Sequence, residues 1–198
     1  DVLGRFAGYA RMQDRIRATL PTDIFVRVCG DCPVLGIDLL TDLVACWNAT
    51  PALAYLGMGT GWPDGLADYD LFTREALLDA DVAALSSSDR EHVTPFFWKN
   101  QHWFRQATYP APDWVRNRPW PKLSVDTPDD LAYVERVAQH VTQVYGAAYT
   151  WRDVLMAVTH EPSLYRMPEP MNAAYVAQVA QEQGREGLTW EGLRFGLD

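Results

Sequence analysis

The sequence predicts an α/β domain with a mixed, mostly parallel sheet flanked by helices, and three observations predict it. Ile24 to Val28 is a β-prone run in which only Arg27 is charged, so it reads as a strand buried on both faces of a largely parallel sheet. Leu123 to Val125 reads as a second short strand, and Asp126-Thr127-Pro128-Asp129-Asp130 then opens a helix. There Thr127 is the cap, Pro128 suits the first helical position and Asp130 closes a capping box. The third observation is bulk: 198 residues, 48% of them apolar, supply one compact core.

Taken in order, Val2 to about Arg17 has helical spacing, with Leu3, Phe6 and Ala10 on one face. Leu20-Pro21-Thr22 breaks it and leads into the key strand, which ends at Gly30-Asp31. Pro33 lacks an N–H and stops any further pairing. A helix follows, with Ile37, Leu40, Val44 and Trp47 as its apolar stripe. Ala52 to Leu56 is a short strand, and Gly57 to Gly65, with four glycines and a proline, is a loop over the sheet edge. Alternation over Asp68 to Phe72 predicts another strand, and Thr73 to Leu85 a helix. Ser88 and Glu91 match a capping box, which places Arg90 and His92 in a first helical turn. Trp103 to Tyr109 reads as a strand and Pro110 to Pro121 as a loop. The helix after Thr127 runs through Leu131, Val134, Val137, Ala138 and Val141, and another starts at the cap Thr150, with Asp153 three residues later. The tail from Met171 has one more helical stretch.

The net charge of −9 argues against a nucleic-acid backbone or an anionic membrane as partner. A polyphosphate substrate stays compatible with it, because bound magnesium carries the local positive charge. No apolar run approaches a membrane span, and three cysteines without framework spacing point to a reducing, cytoplasmic compartment. The chain opens at Asp1 without an initiator Met and runs straight into a helical pattern, so a further segment upstream is expected.

Asp31 and Asp126 repeat one position, an acid between a strand and a break into a helix. An acid just past the carboxyl end of a buried strand faces the crevice where open α/β sheets bind ligands. Two such carboxylates could hold magnesium, which prefers oxygen ligands. Ordinary turn chemistry is the alternative, although Thr127 already supplies the cap beside Asp126. Cys29-Gly30-Asp31-Cys32 is a CxxC after a strand, as in thioredoxin-like redox sites. Pro33 directly after it, and a stripe that starts only at Ile37, count against that reading. Zinc lacks a second ligand pair in the sequence. Arg90 and His92 offer a cation and an acid/base beside a helix start, or simply a surface helix start. Asp64, Asp68 and Asp70 could grip hydroxyls or be solvated turn residues. Phe96, Phe97, Trp98, Trp103 and Phe104 could stack on a base or sugar, or form core or the interface of a homodimer.

Four motifs then occur in order: GDCP at Gly30 to Pro33, PDGL at Pro63 to Leu66, SDREHVTP at Ser88 to Pro95 and VDTPDDL at Val125 to Leu131. With the opening DVLGR they resemble the cytidylyltransferase family that includes spore-coat polysaccharide biosynthesis proteins. They are more distantly similar to the enzymes that make CMP-activated 3-deoxy-sugar acids and acylneuraminates. The resemblance runs to about Asn172 and implies a nucleotide-diphospho-sugar-transferase-like domain over residues 1–170, with 171–198 as a helical tail. It implies that Asp31 and Asp126 hold catalytic Mg2+, and that Arg90 and His92 line a sugar-acid site. Asp64 and Gly65 would lie in a loop beside that site, and Arg5 of DVLGR joins the substrate-binding set. The implied reaction is attack by a sugar hydroxyl on the α-phosphorus of CTP, with release of pyrophosphate. The sequence departs from the family where GLADYD replaces GLDVE, and where Lys122 and Ser124 replace the usual RWT. The family's first strand and basic, nucleotide-gripping loop would lie upstream of Asp1. If so, apolar residues beside Ile24 to Val28 should be exposed. Two other readings stand beside this one: a non-catalytic relative used for binding or dimerisation, and a thioredoxin-like oxidoreductase, which needs Cys29 exposed at a helix start with a lowered pKa.

Overall fold

The computed structural model describes residues 24–59, 61–84 and 86–167. The expected helix over Val2 to Arg17, Arg5 itself and the tail from Met171 lie outside the described residues. The sheet has four strands, β1 (Ile24–Val28), β2 (Tyr55–Met58), β3 (Tyr69–Thr73) and β4 (Gln106–Tyr109), in the order β1-β3-β2-β4. β3 is antiparallel to both its neighbours, and β2 is parallel to β4. Strands β1, β2 and β4 therefore run one way and end at one edge, so the sheet is mixed with three strands in a common direction.

Alternation along β2 and β3 divides the core in two. Leu56, Tyr69 and Leu71 face one cluster with Leu39, Leu43 and Trp47 of helix α1 (Ile37–Ala49). The same cluster takes in Val134, Val137 and Val141 of α6 (Pro128–Tyr145) and Val154 and Leu155 of α7 (Trp151–His160). Tyr55 and Phe72 face the other cluster, with Leu77 of α2 (Arg74–Ala83) and with Phe96 and Phe97 of α4 (Pro95–Lys99). Tyr55 stacks on Phe97 with ring centroids 4.8 Å apart. Between α2 and α4 lies α3 (Ser87–His92), and a short α5 (Asp113–Arg116) interrupts the loop expected over Pro110 to Pro121.

β1 corrects the first expectation. It is an edge strand, paired among the described residues with β3, and Ile24, Val26 and Val28 are 42, 42 and 49% exposed. Apolar composition signals a strand that can be covered on both faces, but not which strands flank it. On the opposite face Arg27 reaches across to Asp70, 3.0 Å away.

Other differences are of phase. In α1 the buried stripe is Leu39, Leu43 and Trp47, whereas Ile37 is 69% exposed and Val44 is exposed. Both stripes have helical spacing, and burial follows the one aimed at the sheet. In α6 Tyr133 is buried and Leu131 is exposed. The second strand starts at Tyr55 rather than Ala52, which has a positive φ of 58°. The fourth starts at Gln106 rather than Trp103. Leu123 to Val125 forms no strand, yet its amides are used: Leu123 N–H donates to Asp64 O (2.9 Å) and Val125 N–H to Asp31 O (2.8 Å). The capping boxes at Thr127 and Thr150 are both present as the sequence predicts. The one expected at Ser88 is not: Ser86 caps α3, accepting from the Asp89 N–H at 3.0 Å. Arg90 and His92 consequently fall in the last turn of α3, the negative end of the helix, rather than the first. No helix among the described residues is long and apolar enough to cross a membrane.

Candidate functional site

The site lies at the edge where β1, β2 and β4 end. Asp31 follows β1, Asp64 and Gly65 lie in the loop after β2, and Asp68 immediately precedes β3. The segment from Leu123 to Val125 stitches these loops together through its bonds to Asp64 O and Asp31 O, and so delivers Asp126 beside them. Gly65 is what allows this approach. Its φ is +81°, and a Cβ there would overlap the Ser124 amide nitrogen and the Leu123 carbonyl carbon, both backbone atoms. Gly65 N–H also donates to Asp68 Oδ2 at 2.9 Å, which fixes the loop on β3.

The three acids share one electrostatic field. Partial withdrawal from water raises the Asp64 carboxyl pKa, and the nearby charges of Asp126 and Asp31 push it further up. A hydrogen bond from Ser124 and the charge of Lys122 oppose that rise. Lys122 Nζ is 2.6 Å from Asp126 Oδ2 and 2.8 Å from Asp130 Oδ2. Asp130 is only 2% exposed, pairs also with Arg166 at 2.6 Å, and accepts from the Asp126 and Thr127 N–H groups at 3.1 and 3.0 Å. The helix cap thereby doubles as the support for the turn that carries Asp126. Asp31 and Asp126 are both exposed residues, with Asp126 Oδ2 engaged by Lys122 and Asp31 Oδ1 by the Cys32 thiol. Hard oxygen donors with room for waters are the set Mg2+ accepts.

Around Asp31 sits a second group. The thiols of Cys29 and Cys32 are free, and with a carboxylate oxygen of Asp31 they lie within 4.8 Å of one another. Cys32 is buried, its Sγ 3.2 Å from Asp68 Oδ2 and 3.5 Å from Asp31 Oδ1. A hydrogen bond from Cys32 lowers the Cys29 pKa, while that bond, burial and the carboxylates of Asp68 and Asp31 hold the Cys32 thiol up. The thioredoxin-like reading also needs a helix start at the cysteines, and α1 begins only at Ile37.

Of the expected site residues, the structure gathers Asp31, Asp64, Gly65 and Asp126. Arg90 and His92 are carried instead by α3, next to the second core, and Arg90 Nη1 bonds Asp81 O at 2.8 Å and Asp81 Oδ1 at 2.7 Å on α2. Asp70 is neither a solvated turn residue nor part of the open site. It is buried, accepts from the Tyr55 hydroxyl at 2.5 Å and pairs with Arg27. Phe96, Phe97 and Phe104 are core, whereas Trp103 is 57% exposed. Lys122, Ser124 and Asp130 were not expected in the site. One signal could have found Lys122: it is the sole cation between Arg118 and Arg136, four residues before Asp126.

Compared with solved structures, the chain takes the fold of a cytidylyltransferase. One structural relative is a cytidylyltransferase from Leptospira borgpetersenii serovar Hardjo-bovis (strain JB197), with a TM-score of 0.67 and 20% identity. The match covers 82% of this chain and 66% of that one. Among curated proteins, an uncharacterised protein of Methanocaldococcus jannaschii, MJ1063, is 26% identical over 151 residues, 71% of this chain. The chain spans about half, 53%, of that relative's length. No family model matches.

Proposed function

We propose that this chain is the larger part of a nucleotidyltransferase that activates an acidic sugar, or a similar small acid, with CTP to a CMP conjugate. The observation that carries the reading is the convergence of Asp31, Asp64 and Asp126 at the strand ends of a cytidylyltransferase-like fold. Asp31 and Asp126 would hold Mg2+, which when bound neutralises charge on the phosphates and aligns them for displacement. Asp64, whose carboxyl pKa is raised by partial withdrawal from water, lies at the edge of the site, where a substrate hydroxyl would approach. Lys122 reaches both Asp126 and Asp130, so it can stay paired with Asp130 when Asp126 turns to a cation.

The Lys122–Asp126 pair is also the observation that favours a second reading, a non-catalytic module in which the lysine neutralises half of the acidic pair. One assay separates the two. The full reading frame that encodes this chain, incubated with CTP, Mg2+ and a panel of sugar acids, should release pyrophosphate, and Asp31→Ala should abolish the release. Absence of release with every acid and every nucleoside triphosphate supports the non-catalytic module.

A further inference from the structure

The CxxC is unused by this reading, and its surroundings differ from what the sequence alone offered. We propose that Cys29, Cys32 and Asp31 form a binding site for a thiophilic divalent cation, with Zn2+ as the ion of best fit. The three ligand atoms lie within 4.8 Å of one another. Tetrahedral zinc, with bonds of about 2.3 Å to sulfur and about 2.0 Å to oxygen, requires S···S of about 3.8 Å and S···O of about 3.5 Å. Cys32 Sγ to Asp31 Oδ1 is already 3.5 Å. The missing second ligand pair is thus partly supplied by the fold, because the turn after β1 brings a carboxylate onto the two sulfurs. In the metal-free protein the Cys32 thiol donates to Asp68 Oδ2 at 3.2 Å, and Asp68 is itself held by the Gly65 N–H. Metal uptake would release that thiol proton to solvent and leave the thiolate on the ion. Asp31 is exposed and Cys29 half-buried, which leaves an entry path and a fourth position for water. Three protein ligands with one open position is an established zinc arrangement.

The site does not depend on the nucleotidyltransferase reading. If that reading also holds, zinc and magnesium would contend for Asp31, and Zn2+ would inhibit. The test uses the reduced full chain without nucleotide, titrated with Co2+ and then Zn2+. One equivalent of Co2+ should bind with a thiolate-to-cobalt charge-transfer band, and one equivalent of Zn2+ should erase it. Cys29→Ser and Asp31→Asn should each weaken Zn2+ binding at least about 10-fold, with unchanged circular dichroism, whereas Cys46→Ser should bind as wild type. Absence of the band, equal Zn2+ affinity in Cys29→Ser, or a Cys29–Cys32 disulfide that re-forms in preference to metal uptake would each overturn the proposal. Zinc binding without pyrophosphate release leaves it standing and removes only the enzymatic reading.

Discussion

At Gly65 a single hydrogen atom decides whether two loops meet. The positive φ and the contact with Leu123 and Ser124 backbone leave no room for a methyl group. Gly65→Ala should therefore cost about 2 kcal/mol or more, through strain and overpacking together. It should also loosen the Leu123 N–H bond to Asp64 O, visible as faster amide exchange at Leu123. Wild-type exchange in that variant would mean the loop is held by something else. Asp130 makes a second residue-scale prediction. Burial opposes its charge, yet bonds from Lys122, Arg166 and the Asp126 and Thr127 groups outweigh it, so its pKa lies well below the usual carboxylate range. A carboxyl depressed in the folded state stabilises fully above the unfolded pKa of about 4 and loses that contribution as pH falls toward the folded value. Asp130→Asn should cost about 3 kcal/mol at neutral pH. In urea unfolding the gap to wild type should narrow at pH 3; a gap of constant size would contradict the assignment.

Among the elements, the helix starts that rest on a side chain meeting its own backbone three residues on were legible. Thr127-Pro128-Asp129-Asp130 and Thr150 to Asp153 carry their partner within the motif, so no tertiary information is needed. Thr150→Ala should lower stability by about 1 kcal/mol in a thermal or urea melt. An unchanged midpoint would show that packing of Trp151 alone fixes α7. The serine run Ser86-Ser87-Ser88 was not decidable in the same way, since each serine is a plausible cap and the helix starts directly after Ser86. Arg90 and His92 changed ends of their helix with that choice. Strand Leu123 to Val125 failed for a related reason. Its extended backbone donates to loop carbonyls at Asp31 and Asp64 rather than to a neighbouring strand, a distinction that local sequence does not encode.

For the whole molecule, the α/β class and the acidic strand ends were readable because alternation and strand-end chemistry are local. The order β1-β3-β2-β4 was not, because it depends on which distant segments pair. That is why Ile24, Val26 and Val28 read as interior and lie exposed. If a strand encoded upstream pairs along this edge, β1 amides should exchange at least about 10-fold more slowly in the full reading frame than in this chain, since pairing removes open edge groups. Equal exchange would contradict such pairing. The central claim is that Asp31 and Asp126 share one hard cation at the strand ends, and Mn2+ binding measured by electron paramagnetic resonance tests it most directly. In the full reading frame with CTP present, one Mn2+ should bind, Asp31→Asn and Asp126→Asn should each weaken it at least about 10-fold, and Cys29→Ser should leave it unchanged. Mn2+ held equally well by Asp126→Asn would mean that the two carboxylates do not share an ion, and the account of the site would fail.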